Sequence, residues 1–168
     1  RTLNWDIQSG MSLAAQPFYL SPDGQRLETV KLMREFQGFF RKHIDVWLPK
    51  FHYPEAGPQL LLMAYLQRIL NGGARIDREY GLGRGRVDLY IEFKKQKMVL
   101  ELKVLKEGQT AESVLQKGLE QTSQHMDHLA APEGHLVLFD RSQSGKSWDE
   151  RVFERTEMVG ERTITVWG

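Results

Sequence analysis

The sequence predicts an α/β fold in which a mixed central sheet is flanked by helices. Residues 84–105 (RGRVDLYIEFKKQKMVLELKVL) contain two apolar runs around a short polar break, which is typical of a β-hairpin. A helical pattern over 111–129 follows, and the apolar run 134–140 is then typical of a buried strand reached by a helical crossover. With one strand and one helix before the hairpin, the predicted order is αβββαβ, a sheet covered on both faces.

The first fifty residues are predicted to form an arm followed by an amphipathic helix. Residues 1–24 contain two prolines and the turn Asp23–Gly24, as linkers do. Apolar residues then recur at helical spacing up to Pro49, which gives one helix or a bent pair; they are Leu27, Val30, Met33, Phe36, Phe40, Ile44 and Trp47. We assign 1–50 to this extension and 51–168 to the main domain. Because the chain opens on Arg1 and not on Met, we expect a fragment or C-terminal domain of a longer protein.

The main domain begins with a helix over Gln59–Leu70 that is apolar almost all round and is therefore expected to be buried. Ala74–Tyr80 is predicted to form the first strand. After the apolar run, Ser147 with Glu150 resembles a capping box for a short helix through Phe153. Residues 163–167 are predicted to form a last strand at the sheet edge.

The hairpin is expected to have two chemically different faces. If Lys95 and Gln96 form a two-residue loop, Asp88 lies opposite Lys103. Because side chains alternate along a strand, one face is uniformly apolar; it carries Val87, Leu89, Ile91, Phe93, Met98, Leu100, Leu102 and Val104. The other face gathers Asp88, Glu101 and Lys103 within cross-strand reach.

An ordinary surface ion pair is the simplest explanation of this polar face. Such a pair between Asp88 and Lys103 would contribute at most about 1 kcal/mol. Two features favour a functional site instead: the hairpin follows the glycine- and arginine-rich segment 81–86, and both faces of the sheet are expected to be covered. Carboxylates on a covered sheet must be neutralised or bind a cation.

Composition excludes several classes of protein. The 168 residues carry a net charge of only +1, so any contact with nucleic acid must come from local basic patches. There is no cysteine, which excludes disulfides and thiolate metal sites. The sequence shows no apolar stretch of transmembrane length and no secretory leader, so we expect a cytoplasmic protein without membrane contact.

Two motifs look like ligand sites but lack essential residues. Residues 140–147 (DRSQSGKS) follow an apolar strand and end in Gly-Lys-Ser, as a phosphate-binding P-loop does. That motif needs a glycine six residues before the lysine, and Asp140 stands there. His125 and His128 lie one helical turn apart, but without cysteine or a second histidine pair they do not predict a zinc-type site.

The element order, together with Arg86-Val87-Asp88 and Leu100-Glu101-Leu102-Lys103, resembles the PD-(D/E)XK nuclease superfamily. Further segments resemble the C-terminal nuclease-like domains of predicted AAA-type ATPases in bacteria: 55–58 (EAGP), 71–73 (NGG), 83–86 (GRGR), 118–121 (GLEQ), 139–142 (FDRS) and 147–150 (SWDE). The likeness covers roughly residues 27–167. It implies a restriction-endonuclease-like core, nuclease activity and an ATPase domain N-terminal to this segment.

The resemblance also implies roles for the matching residues. Asp88 and Glu101 match the metal-binding carboxylates, and Lys103 matches the lysine that positions or activates the attacking water. Glu55 matches the acidic residue of the first helix, with a charge that complements the helix dipole as the alternative. Gln121 matches a glutamine on the crossover helix.

The chain departs from the superfamily pattern at two positions. His125 stands where the glutamine motif usually ends in tyrosine, and Val87 replaces the proline before the first aspartate. Both positions flank the residues on which activity would depend.

These residue types suit phosphodiester hydrolysis. A divalent cation neutralises the anionic phosphate and lowers the pKa of bound water. Mg²⁺ (or Mn²⁺) is the expected cofactor, since two carboxylates with waters can hold it, and the Leu102 carbonyl is a plausible third oxygen. Lys103 on the same face can hydrogen-bond the attacking water.

The expected partner is nucleic acid, with DNA preferred. Four arginines flank the carboxylates and are predicted to bind phosphates without reading sequence, with solvated loop charge as the alternative; they are Arg75, Arg78, Arg84 and Arg86. A different class of function also fits: a non-catalytic binding or regulatory module attached to an ATPase, since fold does not fix function. The intact Asp88, Glu101 and Lys103 favour the nuclease.

Overall fold

A computed structural model describes residues 18–47, 57–70, 73–82, 85–141 and 147–168 of the chain. The helices in these ranges are α1 (Thr29–Trp47), α2 (Gly57–Leu70), α3 (Ala111–Leu129) and α4 (Trp148–Arg151). The strands are β1 (Arg75–Leu82), β2 (Gly85–Phe93), β3 (Gln96–Leu105), β4 (Glu133–Asp140), β5 (Glu154–Val159) and β6 (Arg162–Trp167).

The six described strands form one mixed sheet in the order β1-β2-β3-β4-β6-β5. β1, β2 and β3 are antiparallel, whereas β3, β4 and β6 run parallel, with α3 as the crossover between β3 and β4. The mixed α/β fold with the predicted αβββαβ order is therefore confirmed.

The two faces of the sheet carry separate hydrophobic clusters. Leu89, Ile91, Leu100 and Leu102 pack with α1 and α2 on one face, and Phe36 of α1 is almost fully buried there. Each such side chain contributes about 1.5–3 kcal/mol on burial. On the other face, Tyr90, Val99 and Leu136 pack under α3 through Leu119 and Met126. The even-numbered positions of β2 and the odd-numbered positions of β3 therefore face α3.

The register of the hairpin differs from the predicted one. The turn consists of Lys94 and Lys95, so that Phe93 pairs with Gln96 and Glu92 with Lys97. Asp88 consequently lies beside Glu101 and not opposite Lys103. The predicted faces survive, because the two registers differ by an even number of residues and leave the alternation unchanged.

The side chain of Gln96 explains why the turn comes one residue earlier. Its amide oxygen accepts a hydrogen bond from the Leu27 N–H at 2.8 Å, and its amide nitrogen donates to the Leu27 carbonyl and to Glu133. A loop position would expose Gln96 and lose these three bonds, each of which contributes about 1 kcal/mol net.

One further expectation was wrong at the C-terminal end of the chain, and one strand there was not predicted. β6 is an interior strand, because β5 pairs with it and forms the edge. The sequence did not reveal β5, since its residues ERTEMV are mostly exposed and lack an apolar alternation. The expected cap of the short helix is present, as the Ser147 N–H donates to Glu150 Oε2 at 2.7 Å.

α2 is not buried all round, contrary to the prediction. Leu60 is half exposed, whereas Leu62 and Leu66 on the opposite side pack into the core. A helix that covers one face of a sheet presents its outer side to solvent, whatever its composition. Among the described helices, none is long and apolar enough to span a membrane.

Gly118 allows α3 to approach the sheet closely, which gives a stability prediction. A Cβ at this position would lie 2.8 Å from the methyl carbons of Leu136 and 3.3 Å from Cγ of Lys103. We expect Gly118→Ala to lower the free energy of unfolding by about 1–3 kcal/mol in urea denaturation, because the overpacked helix must shift.

Gly38 in α1 is the matched control, since a Cβ there would meet nothing within 4 Å. Gly38→Ala is expected to stabilise the protein by about 0.5–1 kcal/mol through its higher helix propensity. Equal changes in both variants would contradict close packing at Gly118.

Candidate active site

β2 and β3 bring Asp88 and Glu101 together on the face of the sheet that packs against α3. Asp88 Oδ2 accepts a hydrogen bond from the Leu102 N–H at 2.8 Å, which fixes its carboxyl group across the two strands. The carboxyl group of Glu101 lies close enough to Asp88 for the charge of Asp88 to act on it. Two ionised carboxylates side by side repel one another, which favours a proton on Glu101, the more deeply buried of the two.

Glu101 is buried at the centre of this arrangement, with only 2% of its surface exposed. Burial raises the pKa of its carboxyl group to about 8, and the charge of Asp88 with its hydrogen bond adds to the effect. Lys103 acts in the opposite direction and lowers this pKa. The balance leaves Glu101 largely protonated at neutral pH when no cation is bound.

His125 approaches Glu101 from α3. Its Nδ1 atom makes a close hydrogen bond with Glu101 Oε1, and both side chains are buried. Burial lowers the pKa of His125, with His128 and Lys103 adding to the effect and Asp88 opposing it. A neutral imidazole therefore meets a protonated carboxyl group, which is the arrangement that costs least in a buried site.

Sequence reasoning considered His125 as a departure from a motif and, with His128, as an unsupported zinc-type pair, but it did not connect His125 with Glu101. Its position carried a signal, because it lies three residues after Thr122 and one before Met126, both fully buried on α3. A polar residue on the buried face of a helix needs a partner on the element beneath it. Here that partner is Glu101.

Lys103 lies on the same face of β3, two residues beyond Glu101. Its side chain is partly buried, and its stem passes beneath α3 at Gly118. It lines a polar groove together with Gln121, whose side chain is exposed on α3. The structure thus brings Asp88, Glu101 and Lys103 to one place, with Gln121 at the edge of the adjoining groove.

This geometry can be compared with known families. Residues 54–132 match the model of the PD-(D/E)XK nuclease superfamily. The matched segment runs from just before α2 to just after α3 and contains all four of these residues. No curated protein and no solved structure matches the chain. The mixed sheet flanked by helices is consistent with the restriction-endonuclease-like fold of the superfamily, as the sequence predicted.

Members of the PD-(D/E)XK superfamily are generally nucleases that use divalent metals. Within the described ranges, no group of three histidine or acidic side chains is placed to hold a metal ion. Two facing carboxyl groups nevertheless suit a hard cation, which accepts waters for its remaining ligands. A cation in place of the Glu101 proton would also offset the repulsion between two ionised carboxylates.

Other residues predicted for this site are only partly described. Glu55 and Arg84 lie outside the described residues, and the side chains of Arg78 and Arg86 do so as well. The backbone of Arg78 pairs with Leu89 and that of Arg86 with Gly81.

Arg75 is the one predicted phosphate-binding arginine whose side chain is described. It is 60% exposed and forms an ion pair with Asp77 at 2.7 Å. Because that carboxylate offsets its charge, Arg75 is less suited to bind phosphate than the sequence suggested.

Proposed function

We propose that this chain is a metal-dependent nuclease of the PD-(D/E)XK superfamily that hydrolyses phosphodiester bonds in nucleic acid, with DNA as the expected substrate. One observation carries the proposal: the register of β2 and β3 puts Asp88 beside the buried Glu101 on a covered sheet face, next to Lys103. If Asp88 served only in a structural ion pair, a basic side chain would be expected beside it, but its neighbour is a second acid, Glu101. An acid pair with a neighbouring lysine suits a cation and an anionic substrate.

The chain's own groups have distinct roles in this proposal. Mg²⁺ or Mn²⁺, held by Asp88 and Glu101, would neutralise the scissile phosphate and lower the pKa of water. Asp88 is held in place by the Leu102 N–H and therefore needs little reorganisation to act as a ligand. Lys103 can donate a hydrogen bond to the attacking water and offset negative charge as it develops on the phosphate.

His125 acts on Glu101 in this scheme. Its bond to Oε1 fixes one carboxyl oxygen and leaves Oε2 for the cation. A partner that orients a ligand in this way is typical of metal sites. The histidine thus takes over a position that the superfamily motif usually gives to tyrosine.

The test is hydrolysis of labelled single- and double-stranded DNA and RNA in the presence of Mg²⁺ or Mn²⁺. We expect the wild type to cleave at least one of these, and both Asp88→Ala and Lys103→Ala to lower the rate by about 10²-fold or more. Lys95→Ala, in the exposed hairpin turn, is the control and should retain full activity.

Equal rates in the wild type and both site variants would contradict the nuclease. That result would favour the non-catalytic module, in which the same residues serve only structure or binding. Circular dichroism of each variant distinguishes lost chemistry from lost folding.

An association with an AAA-type ATPase is also proposed, on the sequence segments alone. If the chain is joined to an ATPase domain in the cell, the joined protein should hydrolyse ATP, whereas the 168 residues alone should not. A cytoplasmic location stays a prediction.

A further inference from the structure

A polar groove adjoins the candidate active site along α3. It has a volume of about 640 Å³ and extends from Lys103 along α3 as far as Gln124. Its polar lining consists of Lys103, Gln109, Thr110, Ser113, Lys117, Glu120, Gln121 and Gln124. Apart from Glu120, these side chains are cationic or can donate neutral hydrogen bonds. Such a lining suits an anionic ligand with many oxygen acceptors.

Helical geometry gives the groove a regular wall. Ser113, Lys117, Gln121 and Gln124 follow one another at intervals of three or four residues and so lie along one side of α3. Gly118, the next residue after Lys117, lies close to the Lys103 stem, since a Cβ at Gly118 would come within 3.3 Å of Lys103 Cγ. The wall therefore leads directly to the residues proposed for chemistry.

Lys117 is the free cation of this wall. Within the described part of the chain, its amino group makes no ion pair and no hydrogen bond, and the side chain is exposed. Arg75, by contrast, is already paired with Asp77. Because the whole chain has a net charge of only +1, a local cation of this kind is what can hold a phosphate.

We propose that the sugar-phosphate backbone of the nucleic acid lies in this α3 groove, with Lys117 binding a phosphate next to the one at Lys103. This inference rests on the proposed function and adds where the substrate backbone runs on the protein surface. Ser113, Gln121 and Gln124 contribute neutral hydrogen bonds to phosphate and sugar oxygens. Such contacts position the backbone without reading sequence.

Binding without hydrolysis tests the groove. Fluorescence anisotropy of a labelled oligonucleotide in EDTA is measured between about 50 and 200 mM salt, for a single strand and for the matching duplex. Two lysine contacts predict a slope of log K against log salt near −1.4 for the single strand or −1.8 for the duplex. Lys117→Ala should reduce that slope by about 0.7–0.9 and weaken binding at 0.1 M salt about five- to eightfold.

Two further variants make the test specific. Glu120→Gln removes the negative charge from the groove and should tighten binding. Lys95→Ala lies at the opposite end of β3 and should change neither affinity nor slope. All three positions are exposed, so the variants are expected to fold like the wild type.

If Lys117→Ala binds like the wild type and Arg75→Ala has a reduced slope of log K against log salt, the proposal is wrong. The nucleic-acid backbone would then lie along β1 and not in the α3 groove. Failure of every oligonucleotide to bind would overturn the proposal as well. Either result is separable from failure of the proposed function, because cleavage that depends on Asp88 is measured independently with metal present.

Discussion

Glu101→Gln is expected to abolish hydrolysis while making the folded protein more stable at alkaline pH. The amide has the same shape as the carboxyl group but cannot ionise, so it is a poor ligand for a hard cation. We expect a loss of about 10³-fold or more in the cleavage rate. The folded protein gains stability because the variant no longer has to bury a negative charge beside Asp88.

The pH dependence of stability identifies this effect. The pKa of Glu101 rises from 4.5 to about 8 on folding, so the folded state binds more protons than the unfolded state between these values. Stability contributed by the protonated group is therefore fully present below about pH 4.5, decreases as pH rises, and is lost once pH has passed about 8. The loss is on the order of a few kcal/mol in the wild type. Glu101→Gln should remove it, as measured by urea denaturation across pH in EDTA.

Glu133→Gln provides a control of opposite sign. Burial would raise the pKa of Glu133, but hydrogen bonds from His135 and Gln96 outweigh it and the pKa is lowered. Its contribution is present above pH 4.5 and lost as pH falls, so Glu133→Gln should destabilise the protein at neutral pH. If Glu101→Gln also destabilised the protein at pH 8 and above, the claim that Glu101 is buried with a raised pKa would be wrong.

The hairpin shows how far sequence alone predicts this site. Alternation of apolar and polar residues correctly placed Asp88, Glu101 and Lys103 on one face, because a shift by two in pairing leaves the faces unchanged. The partner of Asp88 was wrong, since the register depends on Gln96 and its contacts with Leu27, far away in the sequence. The alternation of residues within the hairpin gives no information about hydrogen bonds to such distant residues.

The elements that escaped prediction are those whose stability comes from neighbours. β5 is an exposed edge strand held by pairing with β6, and its sequence has no apolar face to reveal it. The arginines were selected for their charge, yet Arg75 proves to be paired and Lys117 is the accessible cation. Whether a surface charge is available depends on the fold around it, and the sequence does not specify that.

The last prediction concerns binding of the cation itself, measured without any substrate. Mg²⁺ or Mn²⁺ at about 100 times its dissociation constant should raise the free energy of unfolding by about 2.7 kcal/mol at pH 8.5, seen as a higher melting temperature. Because a proton must leave the carboxyl pair, the affinity should fall about tenfold for each pH unit below about 8, and the shift should be much smaller at pH 6. Asp88→Ala and Glu101→Gln should lose the shift. Lys103→Ala should keep or enlarge it, since Lys103 carries positive charge beside the site but is not a ligand. A cation shift that persists in Glu101→Gln, or that is equal at both pH values, would mean that the ion binds elsewhere and that the acid pair is not its site.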